Sequence, residues 1–310
     1  MLAHAGDDKS LWGPIFEKAF AKYHGNYLHI AGGWPTVGAR TVAGGPGETY
    51  YHSEFSADDL WTMLKKHDGL DDILQAGTPG TSDRDTNEYG LVNSHAYTVI
   101  GVKELSSGDR LVQLRNPWGN DSFNGDWSDK SNKWTAALRQ EAGATDDQRD
   151  GFIWMSIEDY QKQASETFIN IDTEGKFSDY FLKLDDDGTG STPGSYRWCG
   201  SSCTRHKLTI KSDVDQTIWV AAHTWDRRGI PSACRKDMKP HSIEAEWMSY
   251  VMNFRYGAAD LDTYEIKANQ ETVITTEWNW AELEDISKDW SVVVWGDKGN
   301  VSIKHNDGLQ

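Results

Sequence analysis

The sequence predicts an α+β chain that is mostly β: an antiparallel sheet with helices comes first, and an antiparallel β-sandwich follows. Three observations carry this. An apolar helical repeat opens the chain at "SLWGPIFEKAFAKY", two β-branched runs flank a polar turn between Ala96 and Arg115, and short β-rich runs fill the chain beyond Asn170.

In the opening helix Leu11, Ile15, Phe16, Ala19, Phe20 and Tyr23 recur at helical spacing, so it is expected to face a core. Ser10 is placed to cap it, and Pro14 stays within its first turn. The stretch from His29 to Tyr51 is Gly-rich and reads as loops. A second helix is expected after Ser56, which with Asp59 has the spacing of a capping box ahead of Leu60, Met63 and Leu64. Then "YTVIGV" and "LVQL" flank "SSGD" as a hairpin, followed by loops rich in Trp, Asn, Ser and Asp. "KLDDDGTGSTPGS" has the composition of a linker, at about 183–195, dividing a domain of residues 1–170 from one of residues 171–310. Beyond it, "KLTIKSD", "TIWVAAHTW", "YEIKA", "ETVITTEW", "WSVVVWG" and "VSIKH" have the rhythm of a sandwich.

Composition narrows the function classes. With 31 Lys plus Arg against 48 Asp plus Glu the formal charge is -17, which repels phosphate backbones and anionic headgroups. Neither nucleic acid nor a membrane span is expected, and the first residues read as no secretory leader. The three cysteines, Cys199, Cys203 and Cys234, do not make a disulfide framework and fit a reducing compartment. The expected location is the cytoplasm, cytoskeletal association included, and the expected partners are proteins or a larger assembly. Cys199, Cys203 and His206 form a C-x3-C-x2-H cluster, but its spacing is not that of a finger and no fourth zinc ligand stands near.

Chemistry concentrates at the hairpin. His95 heads its first strand, and Asn116 ends its second within "LRNPWG". The midpoint of 95 and 116 falls two residues before the midpoint of Ser106–Asp109, an even offset from direct pairing that puts both side chains on one face. An Asn carbonyl that accepts from one imidazole nitrogen fixes the tautomer and leaves the other nitrogen to take a proton from a thiol. A lone His on a strand is more often a satisfied packing residue, and Trp118, Trp127, Trp134 and Trp154 are explained by aromatic burial as readily as by a ligand platform.

"GLVNSHAYTVIGV", "LRNPWG", "NGDWSDKSNKW" and "DGFIWMSIEDY" together resemble, in order and spacing, the second subdomain of the papain-like calpain protease core, and "LWGPIFEKAFAKYHGNY" resembles the helix that opens it. The resemblance spans about the first 170 residues; the remainder more loosely resembles the C2-like sandwich that follows such cores. It implies a papain-like half-core with His95 as general base, Asn116 as its orienter and Trp118 as the indole shielding their hydrogen bond. The family's nucleophilic Cys sits in a preceding subdomain, and residues 1–198 contain no Cys. Cys199, Cys203 and Cys234 lack the surroundings that activate a thiolate. The resemblance also implies a calcium site, of which Asp129 and Asp150 are a weak remnant, since Ser122 and Phe152 stand where carboxylates are expected. No cofactor is otherwise expected. "DDDGTG" at Asp185 reads as a solvated turn because Lys183 stands where a calcium loop needs an acid.

Three readings stay open at this point. The chain is an inactive calpain-derived structural or binding module; or it is half of a working calcium-dependent endopeptidase whose Cys-bearing subdomain is truncated or on another chain, "MLAHA" being more like an internal strand than a terminus; or it is a ligand-binding sandwich.

Overall fold

The computed structural model describes residues 3, 9–23, 26–43, 45, 47–147, 150–172, 180–185, 204–224, 250–251, 263–278, 289–296 and 298–306. Two compact units emerge, one of residues 38–174 with 256–259, the other of residues 1–37 with 175–255 and 260–310.

The first unit is built on a six-stranded antiparallel sheet of β1 (Gly47–Tyr51), β2 (Ile73–Gly77), β3 (Ala96–Glu104), β4 (Arg110–Arg115), β5 (Phe152–Ser156) and β6 (Glu166–Asn170). The strands lie in the order β1-β6-β2-β3-β4-β5. Helix α3 (Ala57–Asp68) starts where the sequence indicates: the Ser56 hydroxyl accepts from the Asp59 amide and the Asp59 carboxylate accepts from the Ser56 amide. It buries Leu60, Trp61 and Leu64, and α5 (Ile157–Gln163) packs on it while burying Ile157 and Tyr160. Each such aliphatic side chain contributes about 1.5–3 kcal/mol. Against α5 the His52 imidazole is buried, its Nε2 2.8 Å from the Thr167 hydroxyl, which is 2.7 Å from the Tyr160 hydroxyl.

The loops expected between His29 and Tyr51 are corrected. Helix α2 (Pro35–Ala43) and strand β1 occupy most of that stretch. Pro35 is preset for the first helical turn, and β1, with the strand formers Thr49, Tyr50 and Tyr51, pairs along its whole length with β6. The loops expected after the hairpin also hold α4 (Ala136–Ala142), capped by Thr135 and ended by Gly143 in the left-handed conformation.

The second unit contains α1 (Trp12–Tyr23) and the later strands. The helical repeat of α1 is real, but its expected burial is not: Leu11, Ile15, Phe16 and Tyr23 are exposed, and Ala21 alone in the helix is buried. Among the described residues α1 packs chiefly on the following 3-10 turn Tyr27–Ile30, which is too short to cover its apolar face. The strands are β7 (Tyr180–Asp185), β8 (Thr204–Ser212), β9 (Gln216–Thr224), β10 (Tyr250–Val251), β11 (Thr263–Ile266), β12 (Glu271–Trp278), β13 (Asp289–Gly296) and β14 (Val301–Asn306). They form antiparallel sheets, β10-β9-β13-β7 with β11 also on β9, and β12-β8-β14. Both sheets feed one core of Leu208, Ile210, Ile218, Val220, Ile266, Ile274, Val294 and Val301. The two-residue steps from Leu208 to Ile210 and from Ile218 to Val220 are the alternation of strands with one face inward. Lys183, Leu184 and Asp185, expected at the head of the linker, close β7 instead; residues 186–195 of that linker lie outside the described residues. The chain is thus α+β and mostly β, an antiparallel sheet with helices followed by a sandwich.

Candidate active site

His95 immediately precedes β3 and Asn116 immediately follows β4. The hairpin turn is Leu105–Asp109, closed by Leu105 N–H to Asp109 O and Gly108 N–H to Leu105 O, each at 2.8 Å, with Gly108 at φ 88°. From Glu104 opposite Arg110 the register runs unbroken to Gly101 opposite Gln113. Continued without change it would put Asn116 opposite Thr98, three residues from His95 and on the other face. The strand instead bulges at Ile100, so that Val99 pairs with Leu114 and Thr98 with Arg115. Asn116 then falls opposite Tyr97, two residues from His95 and on its face. The extra residue, Ile100, is turned outward and exposed. The same-face expectation is met, but through this bulge rather than through the turn alone.

On that face His95 Nε2 lies 3.0 Å from Asn116 Oδ1. The orientation of the buried Asn116 amide is set by two other bonds: its Nδ2 donates to Asn120 O at 2.8 Å, and its Oδ1 accepts from Trp118 N–H at 3.1 Å. Oxygen therefore faces the ring, Nε2 must be the donor, and the lone pair of the neutral imidazole resides on Nδ1. Pro117 and the bond from Gly119 N–H to Asn116 O, 3.0 Å, tighten the turn that carries the amide. The Trp118 indole lies against the His95 ring, centroids 4.5 Å apart and planes inclined by 49°, and Tyr97 meets the ring edge-on at 5.0 Å. His95 is half-buried, and burial lowers its basicity; the hydrogen bond to Asn116 and the charge of Asp83 act the other way without overcoming it. A neutral imidazole so held can take a proton at Nδ1 and return it. Cys199, Cys203 and Cys234 lie outside the described residues.

The expected calcium remnant is a different arrangement. Asp129 is buried, and Asp121, which the sequence reading passed over, joins it: burial first, then the charges of Asp129 and Asp150, push the Asp121 carboxyl up to about 7. Burial and Asp150 likewise raise Asp129. One carboxylate oxygen of each, Oδ2, is buried with no hydrogen-bond partner. Asp150 is already engaged, accepting from Phe152 N–H at 2.8 Å and from the Thr145 hydroxyl. Ser122 donates to Gly90 O at 3.0 Å, and Phe152 lies under the Arg115 guanidinium. Among the described residues no three His, Cys, Asp or Glu side chains are gathered to hold a metal ion. Two orphan oxygens fall short of the six to eight that calcium takes, so these residues do not fit the ion as they stand. Among the described residues no helix is long and apolar enough to cross a membrane.

Residues 1–170 match the sequence model of a family described as calpain family cysteine protease. A calpain-type cysteine protease DEK1 of Arabidopsis thaliana is 36% identical over 158 residues, covering 49% of this chain and 7% of that protein. Calpain-8 of Mus musculus is 32% identical over 172 residues, 53% of this chain and 24% of its own length. The calpain-2 catalytic subunit of Gallus gallus is 29% identical over 213 residues, 64% and 30% respectively. The matched region is thus less than a third of each of these relatives.

Proposed function

Because this chain belongs to the calpain family of cysteine proteases, we propose that His95 and Asn116 are the general base and its orienter in the base-bearing half of a thiol-dependent peptide-cleaving centre, and that these 310 residues alone are catalytically inert. The observation that supports this most is the Nε2 to Oδ1 bond of 3.0 Å together with the two bonds that hold the Asn116 amide oxygen toward the ring.

In this reading Nδ1 of His95 removes the proton of a cysteine thiol brought from another segment, since residues 1–198 supply none. The thiolate attacks the peptide carbonyl carbon, giving a tetrahedral oxyanion. Asn116 Oδ1 steadies the imidazolium through Nε2–H while Nδ1–H passes its proton to the leaving amine. Water, deprotonated by the same Nδ1, then hydrolyses the thioester and restores the thiol. Trp118 excludes water from the His95–Asn116 bond, which strengthens it. No step is assigned to calcium. The absence of a thiol from residues 1–198 also favours a second reading, in which the protein is an inactive structural or binding module within a larger assembly. The base-bearing half comprises residues 1–170 in the proposed division, with residues 171–310 as the appended sandwich.

The test is turnover of an unfolded casein-type substrate. The chain alone should give none, with or without calcium. Addition of a Cys-bearing first subdomain from a relative should give turnover that His95→Ala abolishes in the first reading, and none in the second. Turnover by the chain alone that survives replacement of Cys199, Cys203 and Cys234 would overturn both.

A further inference from the structure

The general base is only as well placed as the backbone that carries it, and that backbone is held by one residue of the neighbouring strand end, Thr78. Strand β2 ends with Gly77 opposite Ala96, so Thr78 stands opposite His95 just past the end of the ladder. Its amide extends the pairing, donating to His95 O at 3.0 Å. Its side chain is buried and turns back on the same residue: Thr78 Oγ1 accepts from His95 N–H at 3.1 Å and donates to Val92 O at 2.6 Å, with His95 O also 3.1 Å away. One hydroxyl therefore meets the amide and carbonyl of the base and ties them to the chain three residues earlier.

The clamp restrains an unfavourable conformation. Ser94, directly before His95, has φ 47°, in the left-handed region that is unfavourable for a residue with a side chain. Its amide donates to Pro79 O at 3.1 Å, so both sides of the kink are tied to the segment that Thr78 begins. Freed from Thr78, the kink would relax toward ordinary backbone and rotate the His95 side chain away from Asn116.

We propose that Thr78 is a positioning residue for His95, its hydroxyl fixing the base's backbone so that Nε2 meets Asn116 Oδ1. The inference rests on the reading of His95 as the base, and its test does not require turnover. In the full chain, nitrogen NMR of the His95 ring and the solvent exchange of its Nε2–H are compared in wild type, Thr78→Val and Thr78→Ser. Thr78→Val keeps the shape and removes the hydroxyl; it should speed Nε2–H exchange by about tenfold, as expected for loss of one hydrogen bond's holding. Thr78→Ser should restore the wild-type rate. Unchanged exchange in folded Thr78→Val, or no rescue by Ser, would overturn the proposal. Should Thr78→Val not fold, the His95 backbone amide in the unaltered chain decides: protection matching the β3 amides supports the clamp, and free exchange refutes it. A wild-type ring with its proton on Nδ1 would instead sink the reading of His95 as the base, while the amide protection still reports on Thr78.

Discussion

Asn116→Ala removes three hydrogen bonds at once, those to His95 Nε2, Trp118 N–H and Asn120 O. Their costs are unequal. Asn120 is exposed and its carbonyl can turn to water, and the half-buried imidazole regains a partial water contact, whereas the Trp118 amide within the turn does not. At about 1 kcal/mol for each bond and up to about 3 for an orphaned buried group, the loss should be about 2–4 kcal/mol. Native-state hydrogen exchange of the β3, β4 and β5 amides reads this loss in the unit that holds the site, separately from the sandwich strands. A loss below about 1 kcal/mol for the alanine variant would refute the assignment of the amide as a three-way anchor.

Two further outcomes follow from buried ionisable groups. His52 is held neutral, its pKa lowered to about 4 from 6.5, first by burial and against the pull of nearby backbone carbonyls. The folded state therefore binds fewer protons than the unfolded one between these values. Stability should be full above pH 6.5 and fall by about 3 kcal/mol as pH drops toward 4; denaturant unfolding over this window should flatten in His52→Gln, and an unaltered slope would refute the assignment. Asp121 has the opposite sign: its raised pKa means that ionisation costs stability as pH rises toward 7. Asp121→Asn should raise the melting temperature at pH 8 and lose that advantage in acid, whereas a variant less stable at pH 8, or a large calcium-induced rise in the wild type that the variant lacks, would show the carboxylates to be a cation site.

What was legible in the sequence divides along physical lines. Local rules located α3, because the capping box at Ser56 and Asp59 is written in adjacent residues, and they located most sandwich strands, because alternation is local too. They missed α2 and β1, which lie among glycines, and β1 holds through its ladder with β6. They found the α1 repeat and misjudged its burial, since periodicity reveals a face and not what covers it. His95 and Asn116 were found through their motifs, yet the bulge at Ile100 that puts them on one face is announced only by the lone Gly101 beside it, a signal that the hairpin reading did not use. Thr78 and Asp121 carried no signal at all: each matters through residues distant in the chain, Thr78 through His95 and Asp121 through Asp129 and Asp150.

Asn116 holds His95 in the tautomer with Nε2 protonated and the lone pair on Nδ1. Nitrogen NMR of the His95 ring in the 310-residue chain at neutral pH, assigned by loss of the signal in His95→Gln, tests it directly. Nε2 should be pyrrole-like and carry a slowly exchanging proton, Nδ1 should be pyridine-like, and the mixture of tautomers should return in Asn116→Ala. A proton on Nδ1 in the unaltered protein, or a ring averaging freely between tautomers, would contradict it.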